Sequence, residues 1–548
     1  MTLPTVSSRR NRRKKKPSLV LTLSAAGLLI GGGIAAYWLF TQGQPLSRDL
    51  PIGANIIPDD ALFAVSLTTD HQQWQKLREF GTLEAQRELD KNLVIWRERL
   101  FTNNGYDFQK DVKPWVGDGV TIAMLSPRGD GNQESLVMVL PIKNLEVAEK
   151  ILSESKPGNW VERSYQGFVI KEIQKSGKIF SVALLDQRFL VISDNSTTIE
   201  RAIAAYKNKT SLAQLASFKH NFPKIASYQS FAQFYLNVPT AAKIAQGFPN
   251  RRLPAQVLTQ LQNNQGLAGT VTLEPQGMRF KGISWLNPQS QRLLAVENNA
   301  GGMKNRLPGE TLMMLSGSNL QRWWGDYVST SEGNPLSPIT PKEVREGVKS
   351  LTSLDLERDL LSWLQGEFAL AVIPKTPKNA LGENFQAGLV FMSKISQRQA
   401  AETALQKLDE VMKNQYQFQI QPETVAGKPV VNWISPFGAL TATHGWLDDN
   451  IVFLVVGAPI SDKILSRPNN PLVNTPSFQQ TVITELNPPN GQFFLDVEQT
   501  VKSFIPNNLP GNQQTFLQSI RTIGVTTAIN DSRSQRYDVF LSFKKVDK

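Results

Sequence analysis

The sequence predicts an α+β fold: two tandem α+β copies, each with an antiparallel sheet and packed helices, behind an N-terminal transmembrane helix. Three observations predict it. A ten-residue pattern recurs in similar letters 248 residues apart. Alternating apolar runs of strand length recur around helical segments in the same order. A run of 22 uncharged residues follows a basic tail.

The basic tail, residues 1–18, holds seven Lys and Arg between positions 9 and 16 and no acid. Residues 19–40 (LVLTLSAAGLLIGGGIAAYWLF) follow. As a helix they span about 33 Å, close to the ~30 Å hydrocarbon core of a bilayer. Basic flanks stay on the cytoplasmic side, which predicts the N-terminus inside and residues 41–548 outside. Tyr37 and Trp38 then fall at the exit, where amphipathic rings favour the interface. A cleaved signal peptide would have an apolar core of ~7–15 residues and a small-x-small site. This run is longer, and Ile34-Ala35-Ala36 is a poor site. Gly27, Gly31 and Ala35 share one helix face, and small residues there let two helices approach closely. They are the candidate homodimer face of the anchor. Residues 41–57 read as a tether.

Beyond the tether, residues 106–115 (YDFQKDVKPW) resemble residues 354–363 (LDLERDLLSW). Further pairs keep their order: 58–74 with 308–323, 115–125 with 363–373, 148–152 with 401–405, and 233–238 with 492–497. Copy one is therefore placed at 58–287 and copy two at 308–548, with 288–307 as linker and 298–302 (NNAGG) as its flexible joint. In copy one the predicted strands are 62–67, 120–125, 136–140, 168–173 and 189–192, and the helices 144–155 and 196–207, the second capped by Ser196 or Thr197. In copy two the strands are 312–316, 368–373, 387–393, 430–434 and 451–456, and the helices 396–413 and 498–505. Residues 184–192 and 446–456 read as hairpins. Within the repeated ten letters, Asp107 and Asp355 sit where a helix N-cap belongs. Phe108 with Val112, and Leu356 with Leu360, share one face, and Trp115 and Trp363 close the helix. The repeated letters thus read as structural.

The chemistry is sparse. Cysteine is absent, which excludes disulfides, thiolate metal sites and a cysteine nucleophile. The three histidines, His71, His220 and His444, are too far apart in sequence for ligand spacing and read as surface or hydrogen-bonded residues. The net charge of +12 is concentrated in the tail; the remainder has 52 basic against 47 acidic residues, so no nucleic-acid footprint follows. No phosphate loop, nucleophile elbow or dinucleotide fingerprint occurs. No catalytic, metal or cofactor residue is assigned. Asp59-Asp60 and Asp448-Asp449 read as turn carboxylates. The candidate partner or ligand contact is Trp323-Trp324, because copy one offers Trp74-Gln75 there and Trp324 reads as the extra ring.

Four stretches, KKPSLVLTLSAAGLLIGGGIAAYWL, PDDALFAVSLTTD, LDLERDLLSWLQGEFALAV and LPGETLMMLSGSNLQ, resemble a family of cyanobacterial single-pass membrane proteins of unknown function. The resemblance covers nearly the whole chain and implies a plasma or thylakoid membrane. It implies no activity, substrate or site. The expected function is a membrane-anchored extracytoplasmic binding or scaffold protein for a protein, peptide or lipid. The alternatives are a hydrolase with an unrecognised carboxylate- or serine-based site, and a carrier of an apolar ligand such as lipid or pigment.

Overall fold

In the computed structural model the described residues are 50–100, 107–126, 135–153, 160–175, 178–227, 229–246, 263–331, 340–375, 385–437, 440–482, 484–504 and 517–546. The anchor, with Gly27, Gly31 and Ala35, lies outside them. Among the described residues no helix is long and apolar enough to cross a membrane.

The protein is α+β, built on one antiparallel sheet. The first half contributes β1 (Ala61–Thr68), β2 (Gly119–Leu125), β3 (Ser135–Pro141), β4 (Val161–Tyr165), β5 (Phe168–Lys175), β6 (Lys178–Leu185), β7 (Phe189–Ser193), β8 (Ala232–Asn237), β9 (Asn264–Glu274) and β10 (Gly277–Leu286). The second contributes β11 (Met313–Gly317), β12 (Phe368–Pro374), β13 (Ala387–Lys394), β14 (Gln419–Val425), β15 (Lys428–Ile434), β16 (Leu440–Asp448), β17 (Ile451–Gly457), β18 (Gly491–Asp496), β19 (Ile520–Asp531) and β20 (Ser534–Phe543). In space the first half runs β4-β5-β6-β7-β3-β2-β1-β8-β9-β10. The second runs β14-β15-β16-β17-β13-β12-β11-β18-β19-β20, the same order.

The likeness extends to loop contacts. Leu212 N–H donates to Ile57 O at 2.7 Å, and Leu472 N–H donates to Leu307 O at 2.8 Å. Thr270 Oγ1 donates to Ile225 O at 3.0 Å, and Thr526 Oγ1 to Val482 O at 2.8 Å. Apolar clusters cover both sheet faces: Trp74, Phe108 and Trp115 on one and Ile56, Ile199 and Phe218 on the other in the first half. Trp324 and Trp363, and Leu307 and Phe478, do the same in the second.

Three expectations need correction. The sheets are not separate, because β10 pairs with β20 from Gly277↔Ser542 to Trp285↔Ser534 and the sheet runs unbroken through the join. Residues 50–57 are not wholly tether, because Ile56 and Ile57 are buried in the core. The stretch 298–302 is pinned rather than a flexible joint. Asn298 Nδ2 donates to Ile529 O at 2.9 Å, and Asn298 Oδ1 accepts from Ile529 N–H at 2.9 Å. A side-chain amide offers the same donor and acceptor as a backbone peptide, so asparagine can close a strand end as another strand would.

The expected strands are present to within a residue or two at each end, as are the helices Leu145–Ser153, Ser196–Asn208 and Val497–Phe504, while Arg398–Tyr416 runs three residues past its expected end. Asn195, not Ser196 or Thr197, caps the second of these. The helices Leu83–Leu100 and Pro341–Thr352 go beyond those expected. Thr340 and Glu343 carry a reciprocal capping box that marks the latter in the sequence.

The opening repeat resolves into three shared letters. Asp107 Oδ1 accepts from Gln109 and Lys110 N–H, and Asp355 Oδ1 from Arg358 N–H. Asp111 and Asp359 accept the backbone N–H of Asp107 and Asp355, at 2.7 and 2.9 Å. Trp115 and Trp363 donate their indole N–H to the carbonyls of Asp111 and Asp359, at 2.6 and 3.0 Å. The Asp, Asp and Trp that recur are therefore the residues that bind this wide turn together. Asp107→Ala and Asp355→Ala should each cost about 1 kcal/mol in urea unfolding, the usual loss of an N-cap.

Candidate binding groove

The outer end of the second half holds a groove of about 580 Å3 between the helix Arg398–Tyr416 and strands β14–β16. Ligand pockets commonly measure ~300–1,000 Å3. The helix lies on the sheet because Ala401 and Ala404 bury one face, while Glu402 and Asp409 line the groove. Period-2 alternation brings Val431 and Trp433 of β15 onto the same face as His444 and Trp446 of β16, where Val431 pairs with His444.

Three of these groups lock together. Asp409 Oδ1 accepts from Trp433 Nε1–H at 2.6 Å and lies 2.8 Å from His444 Nε2. The carboxylate selects the imidazole tautomer with its proton on Nε2, which makes Nδ1 the acceptor. The rings of Trp433 and His444 meet edge to face at 5.6 Å. No further hydrogen bond to the His444 ring is present among the described residues. Arg398 stands 4.2 Å over the Trp446 ring, donates to Glu402 Oε1 at 2.8 Å and to Asp449 O at 2.8 Å. On the reverse face of the hairpin, Asn432 donates to Glu423 and accepts from Thr443 Oγ1 at 2.7 Å.

Among the described residues the first half has no counterpart to this lock. Left-handed turns at Gln166-Gly167 and Ala426-Gly427 align β5 with β15, and Ile170↔Ala183 corresponds to Val430↔Gly445. By that register Trp433 takes the place of Ile173, and His444 the place of Val182. An apolar pair in one half is an aromatic–imidazole pair with a carboxylate partner in the other.

The structure divides the tryptophan pair differently from the expectation. Ser66 pairs with Gln233 and Ser316 with Gln492, so the two serines correspond, and Trp74 and Trp324 each lie eight residues further on. Trp324 fills the core position and is 7% exposed; Trp323 is the extra ring, at 41%. Trp324 Nε1–H donates to Glu357 Oε1 at 2.9 Å, and Arg345 Nε–H donates to the same oxygen at 2.6 Å. Burial opposes the Glu357 charge, but Arg345 and Trp324 together hold its carboxyl below the usual range. Trp323 stacks on Tyr327 at 5.7 Å, far along the chain from the groove residues.

The turn carboxylates are paired: Asp60 with Arg201 at 3.1 Å, and Asp448 with Arg306. Among the described residues no group of three or more His, Asp or Glu is placed to hold a metal ion. His71 and His220 are exposed, each on the outer face of a helix beside Gln75 and Lys224. His444, also expected to be an ordinary hydrogen-bonded residue, is buried in the groove wall with Asp409. The signal was a polar ring inside an apolar strand whose first-half partner is valine. It could be read only once the two hairpins were aligned.

Residues 22–543 match a single family, described as a protein of unknown function, DUF3352. The chain belongs to the DUF3352 family. No curated protein matches this DUF3352 chain. Among solved structures it is similar to crystal forms III and I of TP0453, at 11% and 10% identity, with 44% of this chain and 82% of those chains covered. The TM-score is 0.26 for both, and a likeness that slight carries no argument for fold or function.

Proposed function

We propose that this DUF3352 protein is a membrane-anchored binding protein that holds a partner in the groove of its second half. The halves are read as descendants of one duplicated α+β unit, held outside the membrane by residues 19–40 with the N-terminus cytoplasmic. The membrane is a plasma or thylakoid membrane of a cyanobacterium, and Gly27, Gly31 and Ala35 can pair two anchors. One observation supports the binding reading above the others: two halves with the same strand order differ where Ile173 and Val182 give way to Trp433 and His444. A buried polar cluster is costlier than an apolar pair unless fully partnered, so fold alone gives no reason for the exchange.

The same Asp409–His444 pair is the observation that would favour a hydrolase. A hydrolase also needs a nucleophile beside the imidazole, and Thr424 is the single hydroxyl among the groove-lining residues. Binding without covalent chemistry fits the lining better.

The test is co-purification of the full chain from membranes in mild detergent, beside a variant carrying Trp433→Ile and His444→Val. Proteins and extracted small molecules are identified together. The variant should lose the bound partner under conditions where its own unfolding curve shows it still folded. Retention of the same partner by both chains would overturn the reading.

A further inference from the structure

The chemistry of the groove names its ligand class, an inference that rests on the groove being the binding site. Two carboxylates face it, Glu402 and Asp409, the Glu423 side chain being turned to Asn432 on the reverse face, and no lysine or arginine is among the lining residues. Beyond the basic tail the chain holds 52 basic against 47 acidic residues, so the acidic sign of the groove is a local one. Asp409 is also pre-set. Trp433 and His444 both bond its Oδ1, and no described residue hydrogen-bonds its Oδ2. A carboxylate held by two donors needs little further ordering to receive a third.

At the rim the protein shows what such a surface recognises. The Arg398 guanidinium lies over the face of Trp446, with Glu402 and the Asp449 carbonyl taking its N–H groups. An indole face, a carboxylate and a carbonyl together are a guanidinium receptor, because the ring attracts the cation while the oxygens accept its fork of donors. Arg398 uses one such set from outside. Asp409, with the apolar floor of Val431 and Pro422, offers a second carboxylate further in.

We infer that the groove binds an organic cation of the guanidinium class, with Asp409 as its counter-charge and Trp446 as its aromatic wall. The first half, with Val182 and Ile173 at the matching positions, binds none. The cation is carried by a small molecule or by an arginine side chain of a peptide, and the two sources are separable.

Calorimetric titration of the full chain in mild detergent tests this with agmatine, with the peptide acetyl-Gly-Arg-Gly-amide, and with the same peptide carrying uncharged citrulline for arginine. Agmatine or the arginine peptide should bind, and whichever binds tighter identifies the source. The citrulline peptide should bind at least about ten-fold more weakly, since it keeps the shape and loses the charge. Asp409→Asn, which retains an acceptor for Trp433 and His444, should weaken the cation by about ten-fold or more. Arg398→Ala should leave binding equal or tighter, because it removes a competing internal cation. Equal binding of arginine and citrulline peptides, or no binding of either cation to the unmodified chain, overturns the inference. If the co-purified partner still depends on Trp433 and His444 in that case, only the ligand class is wrong. If it does not, the groove is not the site.

Discussion

Asp538→Ala should destabilise the protein by about 3 kcal/mol, at the low end of the ~3–5 kcal/mol expected when one member of a buried ion pair is removed. The reason lies at the join. Lys281 pairs with Asp538 across β10 and β20, at the centre of the pseudo-two-fold axis relating the halves. A polar row runs outward from that pair in register. It passes through Thr270, Gln233 and Ser66 on one side, and Thr526, Gln492 and Ser316 on the other. Asp538 accepts from Arg279 Nη1 at 2.7 Å, and its side chain is 2% exposed. Arg279 also lies 4.7 Å over the Phe540 ring. Removing the carboxylate leaves that guanidinium buried with Glu274, at 2.5 Å, as its remaining carboxylate partner. Glu274 is what keeps the loss from reaching the upper end of the range. Urea unfolding of the full chain in detergent measures it; a loss below about 1 kcal/mol would show that the pair is not what holds the join.

The same join sets a pH dependence. Burial pushes the Asp538 carboxyl up, and Arg279 only partly offsets it. A raised carboxyl contributes stability below its unfolded value and loses it as pH rises through the folded one. At Glu485 burial also opposes the charge, but Lys281 and Arg536 outweigh it and hold the carboxyl below its usual range. That contribution is present above the unfolded value and lost as pH falls through the folded one. Asp538→Asn removes the first effect alone. Stability should then fall more steeply on acidification than in the unmodified chain.

Trp324→Ala should cost about 3–5 kcal/mol, the usual range for emptying a buried aromatic site. It would also strip Glu357 of one of its two donors, leaving Arg345. Trp323→Ala, only one position away, should cost less than about 1 kcal/mol, because its ring is partly solvated. Thermal unfolding of the two variants side by side decides which tryptophan belongs to the core. Similar losses in both would contradict the assignment. The contrast also bears on partner binding: an effect of Trp324→Ala would follow from unfolding, whereas an effect of Trp323→Ala at full stability would mark an exposed contact.

Much of this architecture was legible in the letters because it rests on short-range rules. Short apolar runs at 120–125 and 368–373 give strands, since a strand covered on both faces needs apolar side chains in succession. The spacing of Asp107, Asp111 and Trp115 is four residues each time, and each bond it makes is local. Other features escaped for one shared reason. Nothing near Asn298 announces Ile529, and nothing near Gly277 announces Ser542, because those partners are more than 200 residues away. The choice between Trp323 and Trp324 turned on one residue of register, fixed by Ser316 pairing with Gln492.

The sequence by itself determined the α+β class, the order of most elements, the matched pairs of motifs and the absence of thiol chemistry. Local geometry and side-chain period suffice for those. Tertiary structure alone decided that the two sheets are one, that Trp324 lies inside, and that Asp409, Trp433 and His444 meet. Each depends on strands finding distant partners, and a hydrogen-bonded ladder fixes side-chain neighbours that no local pattern encodes.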